Sequence, residues 1–276
     1  MSFIGLQVIC NEEKRELIIA ELSLLAFDAF EENDAGLLAS CETSEWNEEE
    51  VKEIMNRYEL EYSFEEIEKV NWNEEWEKNY EPVVVGDQCI VRATFHEPQP
   101  QYPYEIIITP KMSFGTGHHA TTHQVLKYQI GLDHEGKKVL DVGCGTGALA
   151  IMAHKRGATQ IAAVDIDEWC IENSEENFAL NNCGEVDLKL GGIDQVSPDE
   201  KYDIVLANIN KNVLLDQIAE YAVRMSTGAF LVMSGFYAWD KPDIIAEGKK
   251  HGLENEEQSE LDNWAMVVLK KKQFSA

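Results

Sequence analysis

Residues 139–147 read Val-Leu-Asp-Val-Gly-Cys-Gly-Thr-Gly, and few stretches of nine residues restrict a fold so strongly. The aliphatic residues up to Val142 make a short buried strand, and Gly143, Gly145 and Gly147 let the chain reverse with no Cβ in the way. A helix from Ala148 to about Lys155 follows. The next apolar run, Ile161 to Val164, ends on Asp165, 22 positions after Gly143. Strand, glycine bend, helix and a second strand tipped with a carboxylate are the parts of an open α/β sheet that holds a nucleoside. The acid lies where it can accept hydrogen bonds from both hydroxyls of a ribose. A glycine turn in an ordinary α/β protein would account for the glycines but not for Asp165.

The spacing of the bend separates two kinds of nucleoside ligand. A dinucleotide fingerprint is Gly-x-Gly-x-x-Gly, with a pyrophosphate at the helix N-terminus. Here it is Gly-x-Gly-x-Gly, preceded by Asp141. That pattern resembles motif I of the class I S-adenosylmethionine methyltransferases, whose ligand carries an amino acid and a sulfonium where a dinucleotide has phosphates. The resemblance implies an α/β fold with a Rossmann-like, doubly wound sheet. Exposed amides of the bend are expected to hold the ligand, and Asp165 to grip its sugar.

The remaining pattern fits that architecture. After the bend, apolar runs at 186–190, 204–207 and 230–233 alternate with helical stretches at about 168–180, 212–223 and 242–250, as a mostly parallel sheet with helices on both faces requires. Residues 257–261 and 264–269, joined by Asp262-Asn263, read as a terminal antiparallel hairpin. The first seventy residues run strand, helix, two strands, helix, strand, which suggests a small α+β, ferredoxin-like sandwich. It lacks glycine loops and ligand-spaced His or Cys, so a substrate-recognition role suits it better than catalysis. The expected organisation is a recognition domain over 1–69, a linker helix over 70–82 bearing Trp72 and Trp76, and a methyltransferase domain over 83–276. Trp72 and Trp76 would share one helix face, as packing at a domain junction requires.

Charge narrows the partners. The chain of 276 residues has a formal net charge of −28, and through Glu81 there are 23 acidic and 6 basic residues, a balance of −17. Such a field repels phosphate backbones and favours encounter with a basic protein, so no direct nucleic-acid binding is expected. No apolar stretch approaches the ~20 residues of a membrane span, and the N-terminus lacks the basic flank and apolar core of a secretory signal. The six cysteines show no paired spacing, which argues against disulfides and zinc and makes a reducing cytoplasm the expected location. No large apolar interface is marked, so a monomer is expected.

Two further segments point at the same crevice. In Lys201-Tyr-Asp-Ile-Val-Leu-Ala-Asn208-Ile-Asn-Lys211 a strand runs into a polar turn, placing Asn208 at a strand's carboxyl end, where open sheets bind ligands. In Met112-Ser-Phe-Gly-Thr-Gly-His-His-Ala-Thr-Thr122 paired glycines make a loop, with His118, His119, Thr121 and Thr122 at the start of a helix. The His pair has no acid or thiol at ligand spacing, so no metal is expected.

Taken with motif I, Asp165-Ile-Asp167 and Trp72-x-x-x-Trp76, the Phe114-Gly-Thr-Gly-His segment resembles the PrmA-type methyltransferases of large-subunit ribosomal protein eleven, along essentially the whole chain. The chain departs from that family at Thr109-Pro110-Lys111 and in its Asn208-Ile-Asn-Lys turn. The resemblance implies S-adenosyl-L-methionine as cofactor, contacted at Thr122, Gly143, Gly145, Asp165 and Asn208. It also implies methyl transfer to lysine ε-amines, and to the N-terminal α-amine, of that ribosomal protein. The strand-end position of Asn208 separately suggests that this residue, or the backbone carbonyls after it, orients the amine by accepting its hydrogens. A glutamine-amide methyltransferase is the alternative on this fold, but its Asn-Pro-Pro-Tyr turn is absent here.

Overall fold

The structure, a computed structural model, describes residues 2–68 and 72–272, without the side chains of 68 and 72–75. The chain divides into two compact units, residues 1–80 and 81–276.

In the first unit β1 (Ser2–Ile9), α1 (Glu12–Leu22), β2 (Phe27–Asn33), β3 (Gly36–Glu42), α2 (Glu48–Tyr58) and β4 (Glu61–Glu68) follow one another. The strands lie in the order β2-β3-β1-β4 with every neighbour antiparallel, the order of a split βαβ sandwich. Both helices start on asparagine caps: Asn11 accepts from the amide of Lys14 and Asn47 from that of Glu49, which satisfies amides the first turn leaves unpaired. Leu6, Val8, Ile18, Leu22, Leu37 and Val51 are fully buried between sheet and helices. The helix α3 (Trp72–Asn79) follows, within the residue range of this unit. Residues 69–71, where the linker was to begin, and the Trp72 side chain fall outside the described part. The Trp76 ring lies 5.1 Å from that of Tyr80.

The second unit opens with a small sheet of β5 (Val83–Val85), β6 (Cys89–Ala93) and β7 (Tyr104–Ile108), antiparallel between the first two and parallel between the last. Then come α4 (Ala120–Gly131), β8 (Lys138–Val142), α5 (Ala148–Lys155), β9 (Gln160–Asp165), α6 (Glu168–Leu180), β10 (Asp187–Leu190), β11 (Tyr202–Asn208), α7 (Lys211–Arg224), β12 (Met225–Tyr237), α8 (Lys241–Lys250), β13 (Leu253–Leu261) and β14 (Trp264–Lys271). They build a seven-stranded sheet, β10-β9-β8-β11-β12-β14-β13, parallel from β10 through β12 and antiparallel at β14 on both sides.

Alternation along the central strands loads both faces of this sheet. Val139, Ile161, Ala163, Ile204 and Leu206 join one apolar cluster with α5, while Leu140, Ala162, Val164, Val205 and Ala207 join another with α7. Burial on both sides explains the continuous aliphatic runs read in the sequence. β12 is much longer than the 230–233 run suggested, because it has ladder partners in β11 and β14 on its two sides. Gly235 lies in this strand at φ +94°, and a Cβ there would sit 2.2 Å from the Ile209 carbonyl oxygen.

Among the described residues β7 has no strand beyond it, and α6 supplies substitutes. Asn181 exchanges hydrogen bonds with the backbone N–H and C=O of Ile107; Asn177 accepts from the Thr109 amide; Asn173 donates to the Thr109 carbonyl. The three asparagines sit four apart, so they share one helix face.

Candidate active site

The sheet changes winding direction between β8 and β11, and the crevice at the carboxyl ends of those strands is where such sheets bind ligands. It has a volume of about 430 Å³ and is lined by Gly143, Gly145, Asp165 and Asn208, among others.

The glycine bend has the backbone its sequence demands: φ is +72° at Gly143, +55° at Gly145 and +76° at Gly147. Its neighbours press equally close. A Cβ at Gly143 would lie 2.3 Å from Ile209 Cγ2, and one at Gly145 would lie 2.2 Å from the Phe114 carbonyl oxygen. The amides of the bend, however, are not exposed. Gly143 and Cys144 donate to the Val164 carbonyl, Thr146 to that of Phe114, Gly147 to that of Cys144, and Gly145 to the Asp165 carboxylate at 2.9 Å. The expectation that free amides hold a ligand is therefore corrected. The bend serves by bringing bare backbone close to the crevice, and its donors hold the crevice together.

Asp165 is oriented from both sides. Oδ2 accepts from the amide of Gly145 and Oδ1 from that of Asp167, 3.1 Å away, and each oxygen keeps a lone pair for the crevice it lines. Asp141, beneath the bend, is fully buried; burial, with the negative charge of Asp165 nearby, pushes its carboxyl up to about 7 against the hydrogen bond from the Ala150 amide.

Asn208 ends β11 almost buried, and its Nδ2 donates to Thr122 Oγ1 at 3.1 Å. Its Oδ1 is buried and accepts no hydrogen bond among the described residues. Thr122 itself is fully buried and is not on the crevice wall, where its neighbour Thr121 stands. The structure thus places Thr122 behind Asn208, setting the orientation of that amide.

The loop before α4 folds onto the bend. The Thr146 hydroxyl donates to the Gly115 carbonyl at 2.9 Å, and the two departures upstream have work to do: the Thr109 hydroxyl and the Lys111 ammonium both bond Glu176 on α6. His119 caps α4, accepting from the Thr121 amide. His118 reaches away, its Nε2 3.0 Å from the Glu81 carbonyl oxygen. No group of three or more metal-ligating side chains occurs among the described residues.

One wall was not foreseen. Phe114, His119 and Trp264 line the crevice together, with ring centroids 5.2 Å apart between the first pair and 4.7 Å between the second, both edge to face. Trp264 opens β14, and only the pairing of that strand with β12, far away in sequence, brings it here.

The crevice suits S-adenosylmethionine. Its size falls within the ~300–1,000 Å³ usual for small-ligand sites; its lining is mostly apolar and glycine-rich; and one oriented carboxylate stands where a ribose would need it. Strand order, glycine bend and acidic strand tip together define the class I S-adenosylmethionine-dependent methyltransferase fold. The family model for ribosomal protein L11 methyltransferase (PrmA) matches residues 5–272. The chain is 41% identical over 264 residues to the ribosomal protein L11 methyltransferase of Phocaeicola vulgatus, covering 94% of each protein. It is 40% identical over 262 residues to that of Porphyromonas gingivalis, covering 93% of this chain and 90% of that one. A solved ribosomal protein L11 methylase from Lactobacillus delbrueckii subsp. bulgaricus superposes with a TM-score of 0.65 at 26% identity, over 70% of this chain and all of that one. The protein belongs to the ribosomal protein L11 methyltransferase family and is a methyltransferase that uses S-adenosylmethionine.

Proposed function

We propose that the protein methylates ribosomal protein L11 at lysine ε-amines, and at the N-terminal α-amine, with Gly143, Gly145 and Asp165 contacting the cofactor and Asn208 orienting the acceptor. S-adenosylmethionine, when bound, supplies a methyl group already activated on a sulfonium. The chain then has to align an amine and exclude water, and proximity and orientation account for ~7–11 kcal/mol of such barriers. Thr122 contributes by fixing Asn208 rather than by touching the cofactor.

The observation that carries this reading is the Asn208 carbonyl oxygen. Asn208 lines the crevice, and with its Nδ2 turned to Thr122 it keeps a buried Oδ1 that accepts no hydrogen bond among the described residues. An amine has hydrogens to give to such an acceptor, as the NH2 of a glutamine amide also has; what disfavours the amide is that Asn208 is followed by Ile209 and Asn210 and not by the Pro-Pro-Tyr of the amide methyltransferases. Supporting it, Phe114, His119 and Trp264 form an aromatic wall against which the apolar stem of a lysine side chain can pack. An ordinary lysine, of pKa about 10.4, is neutral in only about one molecule per thousand near pH 7. Entry into an apolar crevice lowers that pKa, so no dedicated base is required of the chain.

The first unit supports the choice of partner. The net negative charge concentrated before Glu81 suits a basic ribosomal protein, and we assign substrate recognition to this unit. Such a partner places the enzyme in the cytoplasm.

The test is methylation of purified L11 with labelled cofactor, followed by mass mapping. Methyl groups on lysines and the α-amine are expected, and Asn208→Ala lowers kcat by about a hundredfold, the scale of a misplaced reactant. Label on glutamine, or undiminished turnover in the variant, overturns the assignment.

A further inference from the structure

The aromatic wall does not stop at the crevice. Behind Trp264, Tyr237 stacks on its ring at 4.3 Å, and Trp239 stacks on Tyr237 at 4.5 Å. Three rings thus form a ladder from the crevice to the surface, where Trp239 is 67% exposed and Tyr237 40%. An indole with that exposure gains little from burial, and an exposed stack of this kind usually has a binding reason. The ladder is also fixed. The Ala238 amide donates to the Asn263 carbonyl at 2.8 Å, tying the ladder segment to the β13–β14 turn. Lys211 bonds both Asp240 and Asp243, holding the turn after Trp239 to the N-terminus of α7.

Charge says what would lie on it. Asp262 stands exposed in the tied turn, two residues before Trp264, and makes no ion pair among the described residues. A π-face and a free carboxylate on adjoining segments suit a cation, which the ring quadrupole and the carboxylate both attract; of the two lysines that border the hollow beside Trp239, Lys241 is paired with Glu260, which leaves Lys249 as the like charge a cation meets there. The stack begins at Trp264 in the crevice wall and passes through Tyr237 to Trp239, so the occupant we assign to it is the polypeptide that carries the target amine.

We propose that Trp239, with Tyr237 and Asp262, is a substrate-selecting surface that takes a lysine or arginine side chain neighbouring the methylated amine. This inference rests on the amine-methylation reading and adds a second, non-reacting cation to what the enzyme recognises.

Steady-state kinetics of the full chain on L11 tests it. Trp239→Ala is expected to raise KM for L11 by about fivefold, the scale of one exposed cation–π contact, with kcat and cofactor affinity unchanged. Trp239→Phe should recover most of the loss and Trp239→Leu should not, since only the former keeps a π-face. Asp262→Asn should raise KM about twofold, and less at high salt. An unchanged KM in Trp239→Ala, or equal rescue by Leu and Phe, overturns the proposal while leaving amine methylation intact. Failure of the wild-type chain to label any amine overturns both.

Discussion

The two units differ most in what they bury. Among the described residues, every buried polar or charged side chain belongs to the second unit, from Arg92 onward, whereas the buried residues of the first are all apolar. Backbone conformation divides the same way: Gly36 is the one glycine of the first unit at positive φ, while the second has a dozen, three of them in the bend. The small sandwich fills its interior with apolar side chains and the Cys41 thiol. Building a site means bringing polar groups out of water, and each then needs a partner, as Asp165 finds in two amides and Asn181 in the β7 backbone. The polar atoms left without partners are then informative, and Asn208 Oδ1 is one of them.

The largest expected effect sharpens this contrast through a single methyl group. Gly145→Ala places a Cβ against the Phe114 carbonyl oxygen at a left-handed φ, so both the bend and the loop over it must move. Calorimetry should show cofactor affinity reduced more than about hundredfold, the loss that follows displacement of a site by ~1 Å. In the first unit Gly5→Ala meets only the mobile end of the Ile67 side chain, and affinity should stay as in the wild type. Equal losses in the two variants would break the comparison.

A smaller effect comes from Asp141, a buried carboxyl of a kind the first unit lacks. Its folded pKa of about 7 lies above the ordinary 3.8, so its proton is held more tightly in the folded chain. The stability this contributes is complete below the unfolded pKa and is lost as pH rises through about 7. Asp141→Asn does not titrate there. In urea unfolding of the cofactor-free protein, the stability difference should shift in the variant's favour by about 3 kcal/mol between pH 5 and pH 8. A constant difference would mean that Asp141 stays charged throughout.

What was legible in the sequence was what local chemistry dictates. Gly143, Gly145 and Gly147 announce a bend because only glycine enters that backbone region readily, and Asp165 is visible because it ends an apolar run at a telling distance. The element order of both units followed from periodicity and turn residues. What stayed hidden depends on pairing across the chain. Trp264 reads as the first residue of a hairpin strand, and nothing nearby says that β14 will set it against His119. The asparagines of α6 read as ordinary polar helix residues, although their spacing of four was a usable signal once β7 lacked a neighbour. The role first given to the bend's amides failed for a similar reason: Val164, Asp165 and Phe114, the partners that consume them, arrive from other elements.

The central claim is that the crevice between β8 and β11 holds S-adenosylmethionine with Asp165 on its ribose. Isothermal titration of the full chain with S-adenosylmethionine, and in parallel with a nicotinamide dinucleotide, tests it most directly. The account predicts saturable binding of the first ligand, a loss of that affinity in Asp165→Ala, and no heat with the second. Binding of the dinucleotide alone, or wild-type affinity in Asp165→Ala, would contradict it.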